Sequence, residues 1–205
     1  MKLAEDIQTL ARVGENRALK VSPMRAVEAV RVLLDYIDPD SMRSGLAETP
    51  HRVVKAWGEW AKGYEQDPAQ ILKTFEDGAD GVDEMVLVGP IPFYSHCEHH
   101  MTPFFGEAWV GYIPDGKIVG LSKFARLVDC FAKRLQVQER ITVQVADAIM
   151  HHLNPKGVGV VVKARHMCME SRGVCKAGTK TTSSALRGVM KDAAPRAEFM
   201  SFVQK

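Results

Sequence analysis

The stretch Ser122–Lys163, SKFARLVDCFAKRLQVQERITVQVADAIMHHLNPKGVGVVVK, decides the fold class. From Ser122 onward apolar residues recur at helical spacing, so that Phe124, Leu127, Val128, Phe131 and Leu135 fall on one face. A second helical run extends from about Val137 to Leu153 and stops at Asn154-Pro155. Gly157 then opens Val158-Gly-Val-Val-Val-Lys163, the continuous apolar run of a buried strand. Upstream, Met85–Gly89, Ile91–Tyr94 and Glu107–Ile113 read as strands, and Pro114-Asp-Gly-Lys117 has turn chemistry. Downstream, Gly178–Ser184 and Leu186–Met190 supply a last strand, and Pro195–Val203 a terminal helix. The order strand, strand, helix, helix, strand, strand predicts an α+β fold: an antiparallel sheet with two helices on one face.

Helices precede this unit. Ser22 caps, and Pro23 begins, a helix to about Ile37 with Val27, Val30, Leu33 and Leu34 along its stripe. Asp38-Pro39-Asp40 stops it. A second helix is expected from about Pro50 to Tyr64 with Thr49 as its cap, and a short third from Pro68 to Phe75. The loop Asp77–Gly81 divides the chain into an N-terminal helical region, 1–80, and a catalytic domain, 81–205.

The 205 residues suffice for one sizeable domain with a smaller appendage. A net charge of +2 gives no bulk signal for nucleic acid or an acidic membrane surface, so any anion must be met by a local cluster. No apolar run approaches a membrane span, and no secretion signal is read at the start. A cytoplasmic location is expected. There Cys97, Cys130, Cys168 and Cys175 are read as metal ligands or buried thiols rather than as disulfides.

The chemistry concentrates in His96-Cys-Glu-His-His100. Thiolate and imidazole are zinc ligands, and the Cys97-x-x-His100 spacing lets one turn of chain present both to one ion. Cys168, where Arg165-His-Met-Cys168 ends the buried strand, is a candidate third donor, with a buried strand thiol as its alternative reading. Three protein ligands leave the fourth tetrahedral position to water, as in catalytic zinc sites. Spacing alone leaves His96 and His99 open as competing ligands, and Cys175 as the fourth ligand of a closed structural site. Cys130, between apolar helix neighbours, is read as core.

Gly173-Val-Cys-Lys-Ala-Gly178-Thr-Lys180 comes close to a phosphate loop but exchanges the Thr and the Lys. The motif needs Lys directly after the second Gly, so the segment is read as a site-flanking loop.

Five motifs then stand in one register: Glu48-Thr-Pro-His-Arg52, Cys97-Glu-His-His100, Gly120-Leu-Ser-Lys123, Gln136-Val-Gln-Glu-Arg140 and His166-Met-Cys-Met-Glu-Ser-Arg-Gly173. In order and spacing the chain resembles the GTP cyclohydrolase I family over roughly residues 20–203. The resemblance implies a tunnelling fold (T-fold) behind an N-terminal helical part, and a toroidal homodecamer with shared active sites. It implies hydrolysis of GTP to 7,8-dihydroneopterin triphosphate and formate, the first step toward tetrahydrofolate or related pterins. It selects Cys97, His100 and Cys168 as ligands of Zn2+, against His96, His99 and Cys175.

The resemblance also implies the remaining roles. His166 protonates the purine N7, and His99 is a second proton shuttle. Glu139 accepts from the guanine N1–H and 2-amino group, two parallel donors that suit a carboxylate, and Gln138 makes a further base contact. Ser122 stands near the ribose, and Lys123, Arg126, Arg172 and Arg52 clamp the triphosphate. Local reading gives Ser122 and Glu139 plainer tasks, a helix N-cap and an acidic first turn. Two other classes fit the bare cysteines: a tunnelling-fold nitrile reductase with a Cys nucleophile and NADPH, and a non-enzymatic structural zinc module. The first needs a reactive Cys without metal, the second a fourth protein ligand.

Overall fold

The structure, a computed structural model, describes residues 21–75 and 81–204. The proposed boundary loop, apart from Gly81, lies outside the described residues, as does the extreme N-terminus.

Helix α1 spans Pro23–Ile37, with the Ser22 side chain accepting from the Arg25 N–H and Pro23 in the first turn, as the sequence predicts. Its buried Val27 turns toward α2, Thr49–Trp60, against which the helix packs. Helix α2 is shorter than expected. It stops at Trp60, and a 3-10 turn over Lys62–Glu65 takes up the rest. Thr49 lies inside the helix, and no side chain caps it. Helix α3 covers only Pro68–Ile71, capped by Asp67. The chain then extends into β1, Thr74–Phe75, which pairs with β4, Ile118–Val119.

The main sheet has strand order β5-β2-β3-β6-β7. Strands β2 (Val86–Cys97), β3 (Pro103–Ile113), β6 (Gly157–His166) and β7 (Lys180–Gly188) are antiparallel neighbours, and the short β5 (Leu135–Gln136) runs parallel to β2. The two short strands read around Gly89-Pro90 are one strand. Its register shifts between Val88 and Ile91, where proline has no N–H to give the ladder.

Helices α4 (Ser122–Ala132) and α5 (Gln138–Leu153) cover one face. Even-numbered strand residues point there: Phe104, Ala108, Val110 and Tyr112 from β3, and Val158, Val160 and Val162 from β6, all buried with Phe124, Leu127, Ile141 and Ile149. The other face is also covered, which corrects the expected single layer. Helix α7, Ala193–Val203, buries Phe199 and Val203 against Trp109, Val161 and Met190. Phe199 fits because Gly111 and Gly159 leave room; a Cβ on either would stand 2.9 Å from its ring.

Candidate metal and nucleotide site

Strands β2 and β6 end at the same edge of the sheet, and the candidate donors lie there. After Cys97 the chain makes a tight turn. The Cys97 N–H donates to the Thr102 carbonyl at 2.8 Å, and the Met101 N–H donates to the Cys97 carbonyl at 2.7 Å. Met101 takes a left-handed φ of 54° to close the turn. The Glu98 N–H donates to the Gln136 carbonyl, stitching this turn to β5. The turn swings His100 back over Cys97, with Sγ and Nδ1 4.0 Å apart.

Cys168 completes the group from the first turn of α6, Met167–Glu170, directly after β6. One donor atom each from Cys97, His100 and Cys168 lies within 4.8 Å of the other two. A tetrahedral zinc with Zn–S about 2.3 Å and Zn–N about 2.0 Å needs donor–donor edges of roughly 3.5–3.8 Å, so a small contraction closes the group on an ion. Burial first, and then the neighbouring Cys97 sulfur, push the Cys168 thiol pKa up, while the Thr102 hydroxyl pulls it down. Two thiols and an imidazole in one close group suit a cation held between them.

The other candidate ligands stand outside this group. The His96 ring is buried between the indoles of Trp57 and Trp60, 4.7 Å from each centroid, and that burial pushes its pKa down. His99 is largely exposed, with Nε2 3.9 Å from the Glu98 carboxylate. Cys175 is exposed and is not one of the three grouped donors. Cys130 is buried, as expected.

His166, the last residue of β6, stacks on Phe104, with centroids 4.7 Å apart and planes within 5°. Its Nε2 lies 2.8 Å from Gln138 Oε1. The Gln138 amide nitrogen donates to the Val162 and Thr181 carbonyls at 3.0 and 3.1 Å and contacts Ser183 Oγ at 3.0 Å. Its oxygen is therefore the acceptor, and His166 Nε2 carries the proton of that bond. Burial lowers the His166 pKa; the charge of Glu139 works in the opposite direction. Gln138 is 1% exposed, and its amide is taken up by these partners.

Glu139 is exposed in the first turn of α5. Its neighbour Arg140 grips Glu98 with both terminal nitrogens, at 2.5 and 3.0 Å, and holds that carboxyl below the usual carboxylate range. The fork ties the metal turn to the helix that carries Gln138 and Glu139. A second fork, Arg165 to Glu170 at 2.8 and 2.5 Å, together with the Gly178 N–H on the same carboxylate, braces the loop bearing Arg172. Arg172 reaches the cluster, Nη1 lying 3.3 Å from His100 Nε2. Ser122 and Lys123 open α4 and Arg126 follows one turn on; Arg52 is exposed on α2. None of these four is hydrogen-bonded to the cluster. Leu121, not Ser122, flanks α4, so the Ser122 hydroxyl is not spent on a cap.

Both forks and the Gln138–His166 pair escape a sequence reading. Each of their residues falls inside or beside a recognised motif, but the pairings, across 28 positions for Gln138–His166, 42 for Arg140–Glu98 and 5 for Arg165–Glu170, are visible only in the fold.

Fold and site together define a class: an α+β protein of the tunnelling-fold kind with a Cys/His/Cys metal-binding group and a histidine of fixed tautomer beside it. A model of the GTP cyclohydrolase I family matches residues 26–204. The chain is 58% identical over 173 residues to GTP cyclohydrolase 1 of Nitrosospira multiformis, covering 84% of this chain and 91% of that protein. It is 60% identical over 166 residues to the Janthinobacterium sp. protein of the same name, covering 81% and 84%. The Wolinella succinogenes GTP cyclohydrolase 1 is 54% identical over 179 residues, covering 86% and 95%. The chain belongs to the GTP cyclohydrolase I family. Among solved structures, the apo archaeosine synthase QueF-like protein matches at 21% identity with a TM-score of 0.39, covering 51% of this chain and 92% of that one.

Proposed function

We propose that the chain is a zinc-dependent GTP cyclohydrolase I, which converts GTP and water to 7,8-dihydroneopterin triphosphate and formate. The observation that carries this reading is the close Cys97/His100/Cys168 group, with His166, its Nε2 paired to Gln138, two residues from Cys168. Zinc held there supplies Lewis acidity, bringing the pKa of water to about 7.

The chain's own residues do the rest. Glu139 binds the guanine N1–H and 2-amino group, fixing which purine carbon faces the metal group. With Nε2–H committed to Gln138, His166 uses Nδ1 to take up a proton, becoming the imidazolium that the nearby Glu139 charge favours, and then passes that proton to the purine N7. Gln138 orients that ring. His99, exposed beside the ligand turn, relays a second proton. Ser122 lies by the ribose, and Lys123, Arg126, Arg172 and Arg52 meet the triphosphate, which accommodates a polyanion on a chain of net charge +2. Among the described residues the Arg172 guanidinium has no carboxylate partner, and its contact with His100 places it beside the metal group.

The same reading makes the chain cytoplasmic, divides it near residue 80, and assembles it as a homodecamer with shared active sites. It assigns the chain no nucleic-acid or membrane partner, since a net charge of +2 gives no bulk signal for either. Among the described residues no helix is long and apolar enough to cross a membrane.

Purified protein loaded with one zinc per chain and given GTP is expected to release one formate per GTP, together with a product that becomes a fluorescent neopterin on oxidation. GTP recovered intact from zinc-loaded, assembled protein would refute the proposal.

A further inference from the structure

Strand β5 is shorter than an ordinary strand, yet it borders the metal turn. Leu135 and Gln136 pair in parallel with His96 and Cys97. The Gln136 carbonyl accepts from the Glu98 N–H at 2.9 Å. So short a ladder holds no position by itself, and whatever fixes β5 also fixes this side of the turn. The Tyr64 hydroxyl holds Leu135, accepting from its N–H at 3.2 Å. The Gln136 side chain does the rest.

Gln136 is 2% exposed. Its amide nitrogen donates to the Phe131 carbonyl at 3.0 Å and to Gln144 Oε1 at 2.7 Å, and its amide oxygen accepts from Arg140 Nη1 at 3.4 Å. Both N–H groups and the oxygen are thus in use. Phe131 lies in the last turn of α4, where carbonyls have no partner within the helix. There Asp129 is taken by the Lys133 N–H, Cys130 by Arg134 Nε and Ala132 by the Arg134 N–H; Gln136 takes the one that remains. Gln144 stands in the second turn of α5. Arg140 Nη1 also meets Glu98 Oε2. Gln136 therefore reaches Glu98 by two routes, from its own carbonyl to the Glu98 N–H, and through Arg140 to the Glu98 carboxylate.

We propose that Gln136 is a positioning residue whose buried amide locks the Cys97–Met101 turn onto α4 and α5, and so sets the Cys97 and His100 donors relative to Glu139. The inference deepens the metal reading of the Cys97/His100/Cys168 group and rests on it. Glutamine suits the position because it brings two donors for the two acceptors and an acceptor for the cation in one neutral group. A glutamate has no donor for Phe131 or Gln144, and an apolar side chain leaves all three buried partners unmet. Partners one step behind metal ligands alter metal affinity by about 10–100-fold.

Gln136→Met keeps the length of the side chain and removes its amide. Gln144→Met cuts one link only, at a site remote from the metal donors. Two readouts are taken: amide hydrogen exchange of the metal-free protein, and zinc affinity by competition with a chromophoric chelator. In Gln136→Met the Glu98 amide is expected to exchange about 10-fold faster, beyond any change in the β3–β6 ladder, and zinc to bind about 10-fold more weakly. Gln144→Met should move both the same way by about 2–5-fold. A folded Gln136→Met with wild-type Glu98 exchange and zinc affinity overturns the proposal. So does a Glu98 amide that speeds up only as much as the β3–β6 ladder, because the effect is then one of global stability. If Gln136→Met does not fold, Gln144→Met decides, and wild-type Glu98 exchange in it overturns the proposal. A wild-type chain that takes up no zinc overturns the metal reading alone; the exchange rates, taken without metal, still decide whether Gln136 holds the turn.

Discussion

At one end of the sheet, β2 ends at Cys97 and β6 at His166, beside the turn that carries Cys168; at the other, β3, β6 and β7 close on Ile113, Gly157 and Gly188. The second end is finished by backbone. The Lys156 N–H donates to the Ile113 carbonyl and the Val189 N–H to the Lys156 carbonyl. Gly188 sits at φ 56°, where a Cβ would meet the Lys156 carbonyl at 2.2 Å. Nothing there is left to react. The first end is finished by side chains: two thiols, an imidazole and a stacked histidine, braced by Arg140–Glu98 and Arg165–Glu170. One register serves both. Sliding β6 by one residue would turn Cys168 away from Cys97 and put Val161 where Val160 now packs. The rigid end fixes the geometry that the reactive end uses.

Substitutions at each end sharpen this contrast. Cys168→Ser should abolish zinc retention and lower formate release at least about a thousandfold, with the melting temperature little changed; metal analysis and a turnover assay check it. Phe199→Ala, behind the sheet, should do the reverse. It should cost about 3–5 kcal/mol in chemical unfolding, with the KM for GTP unchanged in the folded fraction. Glu139→Gln replaces one of two acceptors by a donor, and kcat/KM should fall about 10–100-fold, corresponding to about 1.5–3 kcal/mol for a charged hydrogen bond. The smallest effect is expected from Lys163→Met. Lys163 Nζ donates to the Val203 carbonyl at 3.1 Å and lies 4.8 Å from the Trp109 ring centroid. Removing it should cost about 1 kcal/mol of stability and leave turnover unchanged.

Legibility in the sequence follows the same division. Helix α1 is readable to the residue because Ser22-Pro23 and Asp38-Pro39 act locally at its two ends. The two helices between strand pairs follow from period, and the grouping of Cys97, His100 and Cys168 follows from the family resemblance, since spacing alone leaves His96, His99 and Cys175 open. What was missed depends on distant partners. The run Val158–Val162 is apolar without alternation, a sign that both faces are covered, yet the helix supplying the second cover begins Ala-Ala-Pro-Arg and shows no clear stripe. The extended β2 hides behind Gly89-Pro90, because a proline that tolerates a register shift reads as a break. At the site, motif likeness suggests a base contact for Gln138, and the fold adds side-chain bonds to His166, Val162, Thr181 and Ser183 that no motif announces. Residue type announces a ligand; only the fold shows what holds it.

The claim on which the account depends is an open three-ligand site at the reactive end of the sheet. X-ray absorption at the zinc edge of the loaded protein tests it most directly. The account predicts two sulfurs at about 2.3 Å and two lighter donors at about 2.0–2.1 Å, one of them imidazole, with an unchanged spectrum in Cys175→Ser. Three sulfurs, falling to two in Cys175→Ser, would contradict it.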